Sequence, residues 1–267
     1  MIERFRPAGH KAQELSEIVL LKETFKPIQR VIDTTIEGED KTIGYLYHDV
    51  EYKKDCVGSI ILSKGLLCGV DGSTRYMKTS GWQTYEGNKK ENPQEWFIPS
   101  GPLTLELCYR SQLNTTPLSR EVQATWHKTF NPEEWWSQTS TLLQYTNGVA
   151  RMYHDWTTNA GIAPVPEDNL LDLTDGNTPC VNQFLRTILG KRSSTAQQVF
   201  GQYGSPVRLW TPHNTFTGER ALVLGVSDDD RFDIDANGYG INDSRPARGI
   251  ALAKKLLAGK RYEVRDV

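Results

Sequence analysis

Cys180 has the residue type and the local context of a thiol nucleophile. It follows Thr178-Pro179, a pair that favours the first turn of a helix. The free N–H groups and the dipole at a helix N-terminus stabilise a thiolate. A nucleophilic thiolate also needs a base beside it, and we consider His213 and His154 for that role. The chemistry predicted for this set is hydrolysis through a covalent thiol intermediate.

The position of Cys180 at the start of a helix resembles that of the nucleophile in papain-like cysteine hydrolases. The resemblance is one of position, because the flanking residues 177–181 match no thiol-hydrolase signature. The alternative is that Cys180 is a small side chain that packs its helix into the core, as most cysteines do. The sequence leaves both interpretations open.

An acidic stretch, residues 228–238, partly matches a calcium-binding EF-hand loop. Counted from Asp233, the residues Asp235 and Asn237 fall at ligand positions. However, Ser244 stands where the loop requires a bidentate glutamate, and an Asn-Gly hairpin turn explains the same residues. The histidines have no metal-binding spacing, and the common glycine-rich nucleotide motifs are missing. The sequence therefore predicts neither a metal nor a cofactor.

The C-terminal region carries an excess of basic side chains on a predicted helix, residues 247–257. Such a cluster is suited to contact nucleic-acid phosphate or an acidic partner. The alternative is a solvated helix face that pairs with the acidic residues preceding it. The basic set is Arg245, Arg248, Lys254, Lys255, Lys260 and Arg261.

Aromatic side chains in residues 79–102 are candidates for contact with a partner protein. This segment is polar and contains several glycines and prolines, so we predict a long loop. Aromatic side chains in loops are harder to bury than those on helices, and they are favoured as interface anchors. The candidate partner-binding residues are Trp82, Tyr85, Trp96 and Phe97.

Composition excludes some classes of function. The 267 residues carry 31 basic and 33 acidic side chains, so the net charge of −2 argues against nucleic-acid binding through a global positive potential. Hydrophobic residues make up 37% and form no run long enough to span a bilayer, so we expect no membrane partner. The four cysteines form no C-x-x-C pair, which predicts reduced thiols in the cytoplasm, or in a virion if the protein is viral.

The elements expected to position these residues define an α+β protein, with a β-rich N-terminal part, central helices and a β-α-β C-terminal part. We place a boundary between residues 1–125 and 126–267, with one continuous domain as the alternative. The predicted helices are residues 11–21, 131–156, 179–189, 193–200 and 247–257. The predicted strands are residues 28–36, 42–52, 57–62, 103–110, 207–210, 220–226, 231–235 and 261–267. Residues 160–178 are predicted to form a second loop.

The function expected from these features is that of a non-enzymatic subunit of a larger assembly, such as a phage particle or a nucleoprotein complex. Other protein subunits are then its partners. The first alternative is the cysteine hydrolase that uses Cys180, and the second is a nucleic-acid contact through the C-terminal basic helix.

Overall fold

Runs of β-branched and aromatic residues form most of the strands, and three of the helices have a proline in their first turn. The computed structural model describes residues 25–131, 136–174, 178–237, 240–259 and 261–265. The strands are β1 (Gln29–Asp33), β2 (Thr42–Lys53), β3 (Cys56–Leu66), β4 (Ser137–Thr146), β5 (Val149–His154), β6 (Thr158–Pro164), β7 (Leu170–Asp172), β8 (Val207–Trp210), β9 (Gly218–Val226), β10 (Phe232–Asp235), β11 (Arg248–Leu252) and β12 (Tyr262–Arg265). The helices are α1 (Thr79–Gly87), α2 (Gly101–Gln112), α3 (Pro117–Phe130), α4 (Pro179–Leu189), α5 (Ala196–Phe200) and α6 (Ala253–Leu256).

Five antiparallel strands form the first sheet, in the order β11-β3-β2-β1-β12. Its centre is the hairpin of β2 and β3, whose residues Tyr45, Tyr47, Ile60 and Leu62 are buried. Strands β11 and β12 come from the C-terminal region, so this sheet joins both sides of the boundary drawn at residue 125.

Seven strands form the second sheet, in the order β6-β5-β4-β9-β10-β8-β7. Strands β8 and β10 pair in parallel, and the other neighbours are antiparallel. A two-residue turn joins β4 to β5, with Asn147 at φ 48° and Gly148 at φ 75°. This turn has the left-handed geometry that Asn-Gly favours, and its twist matches that of the flanking strands.

Helices fill the space between the two sheets. Helix α3 contacts β3 of the first sheet and β9 of the second, while α2 contacts α3, α4 and β4. One hydrophobic cluster includes Leu62 of β3 and Leu224 of β9, so residues of both sheets share a core. The α+β class is therefore confirmed. Within the described residues, no helix is both long enough and apolar enough to cross a bilayer.

The predicted strand at residues 103–110 is wrong, because these residues belong to helix α2. Ser100 lies at its N-cap and Pro102 lies in its first turn, a position where proline stabilises a helix start. The alternation of leucines misleads here because α2 is buried on most sides. Thr104 and Cys108 are buried together with Leu103 and Leu107.

The predicted helix at residues 131–156 is also wrong, since residues 137–154 form the β4–β5 hairpin. The Asn147-Gly148 pair inside the segment is the turn of that hairpin. A helix that the pattern did not predict, α3, lies just before it. The Thr116 hydroxyl caps α3 by accepting a hydrogen bond from the Ser119 amide at 3.1 Å.

Other boundaries differ in a similar way. Helix α1 begins the segment predicted to be a loop at residues 79–102, and strands β6 and β7 occupy much of the loop predicted at residues 160–178. The predicted helix at residues 247–257 begins as strand β11, and only Ala253–Leu256 is helical. Helix α4, which ends at Gly190, is confirmed, as are strands β8, β9 and β10. The helix predicted at residues 11–21 lies outside the described residues.

Candidate functional site

A cleft of about 550 Å³ opens where four elements meet, and we call it the charged cleft. Its walls are the end of the β2–β3 hairpin, one side of α2, the β5–β6 turn and the end of α4. Its basic lining residues are Lys53, Lys54, Arg110, Arg186, Lys191 and Arg192. Its acidic lining residues are Asp49, Glu51, Glu106 and Asp155. The cleft therefore carries a positive excess in a chain whose net charge is −2.

The floor of the charged cleft is a largely buried ion-pair network centred on Glu106 of α2, whose side chain is 12% exposed. Its carboxylate accepts a hydrogen bond from Arg110 Nε at 2.6 Å and pairs with Arg192. The Arg110 guanidinium also donates to the carbonyl oxygens of His48 and Asp49, at 2.6 and 2.8 Å. Because these charges satisfy one another, the floor ties α2 to β2 and to the turn after α4.

The rim of the charged cleft holds cations that are less fully paired. Lys191 contacts the Glu51 carboxylate at 2.8 Å. By contrast, Lys53, Lys54 and Arg186 have no carboxylate within salt-bridge distance in the part of the chain that the structure describes. The ammonium of Lys53 lies 5.3 Å from the ring centroid of Phe97, a cation–π contact that leaves its hydrogen-bond donors available. These three side chains offer positive charge to a ligand.

Two carboxyl groups near Lys53 are less acidic than usual. Asp155 lies in the β5–β6 turn at φ 48°, and burial raises the pKa of its carboxyl, while Lys53 lowers it. Burial also raises the pKa of Glu86, against hydrogen bonds that its Oε1 accepts from Ile98 N at 2.8 Å and Trp156 Nε1 at 2.9 Å. Sequence reasoning missed both groups, because only the fold places them near Lys53.

His154 lies in the wall of the charged cleft with both ring nitrogens engaged. The Thr141 hydroxyl accepts from the Gly101 amide at 2.9 Å and is hydrogen-bonded to His154 Nδ1 at 3.0 Å. The other side of the ring is hydrogen-bonded to the backbone of Thr187. Burial lowers the pKa of His154 to about 4. A neutral imidazole therefore links α2, β4, β5 and α4.

Cys180 and His213 occupy separate environments in the structure. The Cys180 thiol donates to the Pro164 carbonyl of edge strand β6 at 3.7 Å. Burial and the nearby Glu167 raise the pKa of this thiol, which opposes a thiolate. His213 Nδ1 lies 3.1 Å from the Thr215 hydroxyl. Among the described residues, no hydrogen bond joins Cys180 to His213 or His154, so the catalytic role of this set stays a prediction.

The candidate partner-binding aromatics are largely part of the core, which corrects their assignment to an exposed loop. Trp82, Tyr85 and Trp96 are buried, and the Trp82 indole donates to the Arg245 carbonyl at 3.0 Å. Phe97 is half-buried and pairs with Ile250 at the edge of β11. Helix α1 turns its aromatic residues inward, so these side chains do not form an exposed anchor for a partner.

The C-terminal basic set is also not a continuous face. Arg245 and Arg248 are buried, and Arg248 lies in a strand rather than a helix. Lys254 and Lys255 are exposed on α6, where Lys255 pairs with Glu95 at 2.6 Å. Arg261 pairs with Asp33 at 2.7 Å, and Lys260 lies outside the described residues. The helix predicted over residues 247–257 is therefore wrong, and a nucleic-acid contact through these side chains stays a prediction.

The acidic segment before β11 is committed to contacts within the protein. Asp233 receives a bidentate hydrogen bond from Arg208 at 2.7 and 2.9 Å, and Asp235 accepts from the Asn237 amide at 2.7 Å. Considering only the residues that the structure describes, no group of three His, Cys, Asp or Glu side chains is arranged to hold a metal ion.

Comparison with known proteins does not assign the charged cleft to a family. No family model, no curated protein and no solved structure matches the chain. The function is therefore argued from the geometry and charge of the cleft.

Proposed function

We propose that the protein is a non-catalytic interaction subunit of a larger assembly, and that its charged cleft receives an acidic segment of another protein. One observation carries the proposal: Lys53, Lys54 and Arg186 face a concave site without carboxylate partners among the described residues. A single exposed ion pair contributes little, but several cations around one cleft act together and steer an anionic partner into it.

The acidic residues of the same lining favour a peptide over a nucleic acid. Asp49, Glu51 and Asp155 share the cleft with the free cations. A continuous phosphate backbone would meet these carboxylates at short range, whereas a peptide can place an acidic side chain next to a neutral or basic one. The cleft also presents Asn159, an exposed residue whose side-chain amide suits hydrogen bonds to a peptide backbone.

Two observations support a non-catalytic role. His154 has hydrogen-bond partners on both sides of its ring and a depressed pKa, so it is poorly placed to take a proton from a substrate. The Cys180 thiol has a raised pKa and contacts a backbone carbonyl, which is the environment of a packing residue. The cysteine hydrolase therefore gains no support over the interaction subunit.

Two triple variants, each of which loses three positive charges, test the proposal. The triple variant Lys53→Gln, Lys54→Gln, Arg186→Gln removes the free cations of the cleft. A control variant, Lys78→Gln, Lys90→Gln, Lys254→Gln, removes the same charge from exposed positions outside the cleft lining. Fluorescence anisotropy would measure binding of a labelled oligoglutamate peptide and of an oligothymidylate of equal charge.

We expect the wild-type protein to prefer oligoglutamate, and the cleft variant to bind it about tenfold more weakly, with about twofold or less in the control. Equal losses in the two variants would show that only net charge matters. Tighter binding of oligothymidylate than of oligoglutamate would show that the cleft receives nucleic acid rather than an acidic protein segment. Either result overturns the proposal.

Alkylation tests the non-catalytic assignment separately. At neutral pH, iodoacetamide should modify Cys180 more slowly than the exposed Cys56, because burial raises the pKa of Cys180. Rates for each thiol can be read by mass spectrometry. Fast, selective modification of Cys180 that disappears in His154→Ala or His213→Ala would instead support the hydrolase.

A further inference from the structure

A second cavity, of about 680 Å³, lies beside β3 and has mainly apolar walls. We call it the apolar pocket. It is bounded by the end of β3 and the turn after it, by residues 85–96 and by the last part of α3. Its apolar walls include Ile43, Leu66, Leu67, Tyr85 and Trp96. Its size and lining are those of a site for a small organic molecule rather than for a water cluster.

Basic side chains surround the mouth of the apolar pocket. Lys64 is paired with Asp40, and Arg75 lies 3.9 Å from the Glu91 carboxylate. Lys128, at the end of α3, has no carboxylate within salt-bridge distance in the described ranges. Glu91 is the acidic residue in this lining, against these three bases. The mouth is therefore positive while the walls are apolar.

A buried guanidinium lies directly behind the wall of the apolar pocket. Arg248 of β11 is 1% exposed, and it stacks on the Trp126 ring at 4.2 Å. It donates to the carbonyl oxygens of Ser63 and Lys64, the latter at 3.2 Å, and to the Thr125 hydroxyl at 3.3 Å. All three of these acceptor residues line the apolar pocket. One layer of residues thus separates the charge from the cavity.

The charge of Arg248 is not neutralised within the described part of the chain. No carboxylate forms a salt bridge with it there, and its Nε has no hydrogen-bond partner. Burial lowers the pKa of Arg248 to about 10, which still leaves it charged at neutral pH. A buried charge without a counter-ion is costly, and proteins normally pair one with an opposite charge. An anion bound in the adjacent cavity would recover part of this cost.

We propose that the apolar pocket binds a small molecule with an apolar body and a single carboxylate, whose charge lies against the wall formed by Ser63 and Thr125. The body of the ligand packs between Leu67 and Trp96. Its carboxylate lies in the field of Arg248 and within reach of Lys128. A monoanion matches the single uncompensated guanidinium, whereas a phosphate dianion would bring more charge and hydration into an apolar cavity.

An exposed thiol in the pocket lining provides the assay. Cys68 lines the apolar pocket, while Cys56, which is also exposed, does not. Iodoacetamide rates at the two thiols would be compared with decanoate, with decanol and without ligand. Decanoate at a few times its dissociation constant should slow alkylation of Cys68 by about fivefold and leave Cys56 unchanged. Decanol, which has the same chain without the charge, should protect much less.

Protection by decanol equal to that by decanoate would overturn the proposal, because the pocket would then recognise only apolar chains. Absence of protection by either compound, or equal slowing at Cys56, would overturn it as well. A preference for decanyl phosphate over decanoate would contradict the choice of a monoanion.

Two variants test the source of the charge selectivity. Arg248→Met keeps much of the side-chain volume and should remove the preference for decanoate over decanol. Lys128→Gln should weaken decanoate binding about threefold, with Lys90→Gln as the matched control. If Arg248→Met does not fold, the Lys128→Gln comparison still decides, since equal effects in the two lysine variants would contradict the proposal.

Discussion

The charged cleft and the apolar pocket each lie beside a buried arginine, and the two arginines differ in whether a carboxylate pairs with them. Arg110, 7% exposed, lies at the floor of the charged cleft, and Arg248, 1% exposed, lies behind the wall of the apolar pocket. Each guanidinium donates to two backbone carbonyls. Arg110 also pairs with Glu106, whereas Arg248 has no carboxylate partner among the described residues.

This difference separates a structural charge from one that is available to a ligand. A guanidinium with a carboxylate partner holds neighbouring elements together and leaves little electrostatic energy for binding. A guanidinium without one creates a strong local field at low dielectric, which an incoming anion can neutralise. In the charged cleft, binding therefore depends on the exposed rim. In the apolar pocket, we expect binding to depend on Arg248, which is buried behind its wall.

Glu106→Gln should have the largest effect on stability, because it leaves the buried Arg110 without a carboxylate partner among the described residues and also removes the Glu106 carboxylate from Arg192. Breaking one partner of a buried pair costs roughly 3–5 kcal/mol of the free energy of unfolding. Urea denaturation monitored by tryptophan fluorescence measures this loss. A change below about 1 kcal/mol would show that the two buried arginines are equivalent, and the comparison would fail.

Acidification should unfold the protein partly through His154. Its pKa falls from 6.5 to about 4 on folding, so the folded state favours the neutral ring. The stability it provides is complete above pH 6.5 and is lost as pH falls toward 4, by about 2 kcal/mol at pH 5. His154→Gln removes this titration, so unfolding free energies at pH 7 and pH 5 should differ less in the variant.

The raised pKa values of the Glu86 and Asp155 carboxyl groups change stability with pH in the opposite direction. Both groups are present in the wild type and in the His154→Gln variant. They cancel when the pH dependence of the variant is subtracted from that of the wild type. An identical pH dependence in the two proteins would mean that His154 is accessible to protons in the folded state.

Arg248→Met should change stability less than Glu106→Gln, by about 1.5 kcal/mol or less. The variant loses hydrogen bonds to the Ser63 and Lys64 carbonyls, but it also relieves the burial of an unpaired charge. Urea denaturation of the ligand-free protein compares the two variants directly. A loss as large as that of Glu106→Gln would identify Arg248 as a structural residue.

Glu51→Gln should have the smallest effect, because its partner Lys191 lies at the exposed rim of the charged cleft. The two side chains are 41% and 72% exposed, so solvent screens the pair. We expect about 0.5 kcal/mol or less, measured by the same denaturation. A loss close to that of Glu106→Gln would remove the distinction between the floor and the rim of the cleft.

Local signals in the sequence were sufficient for part of the fold. The β-branched residues of β3 and the continuous apolar run of β9 identify strands, because a strand needs only a side-chain pattern that suits a pleated surface. Helix α4 is bounded by Thr178-Pro179 and by Gly190 at φ 71°. These signals act over a few residues and do not depend on the rest of the chain.

Predictions from the sequence were wrong where residues of a polar or alternating segment turned out to be buried. The leucines of α2 alternate as in a strand, yet the helix is surrounded by protein, so its polar positions are buried too. The aromatics of α1 resemble exposed anchors in a polar segment, but the helix turns Trp82 and Tyr85 into the core. In both cases, a packing environment formed by distant elements decides which side of a residue faces solvent.

The sequence by itself determined the α+β class, several strands and the ends of α4. The tertiary structure decided which charges are paired. Arg248 finds its acceptors 185, 184 and 123 residues away, in Ser63, Lys64 and Thr125. Arg192 reaches Glu106 across 86 residues. The energy of a charge depends on its desolvation and on its nearest opposite charge, and both are set by contacts between residues that are remote in the chain.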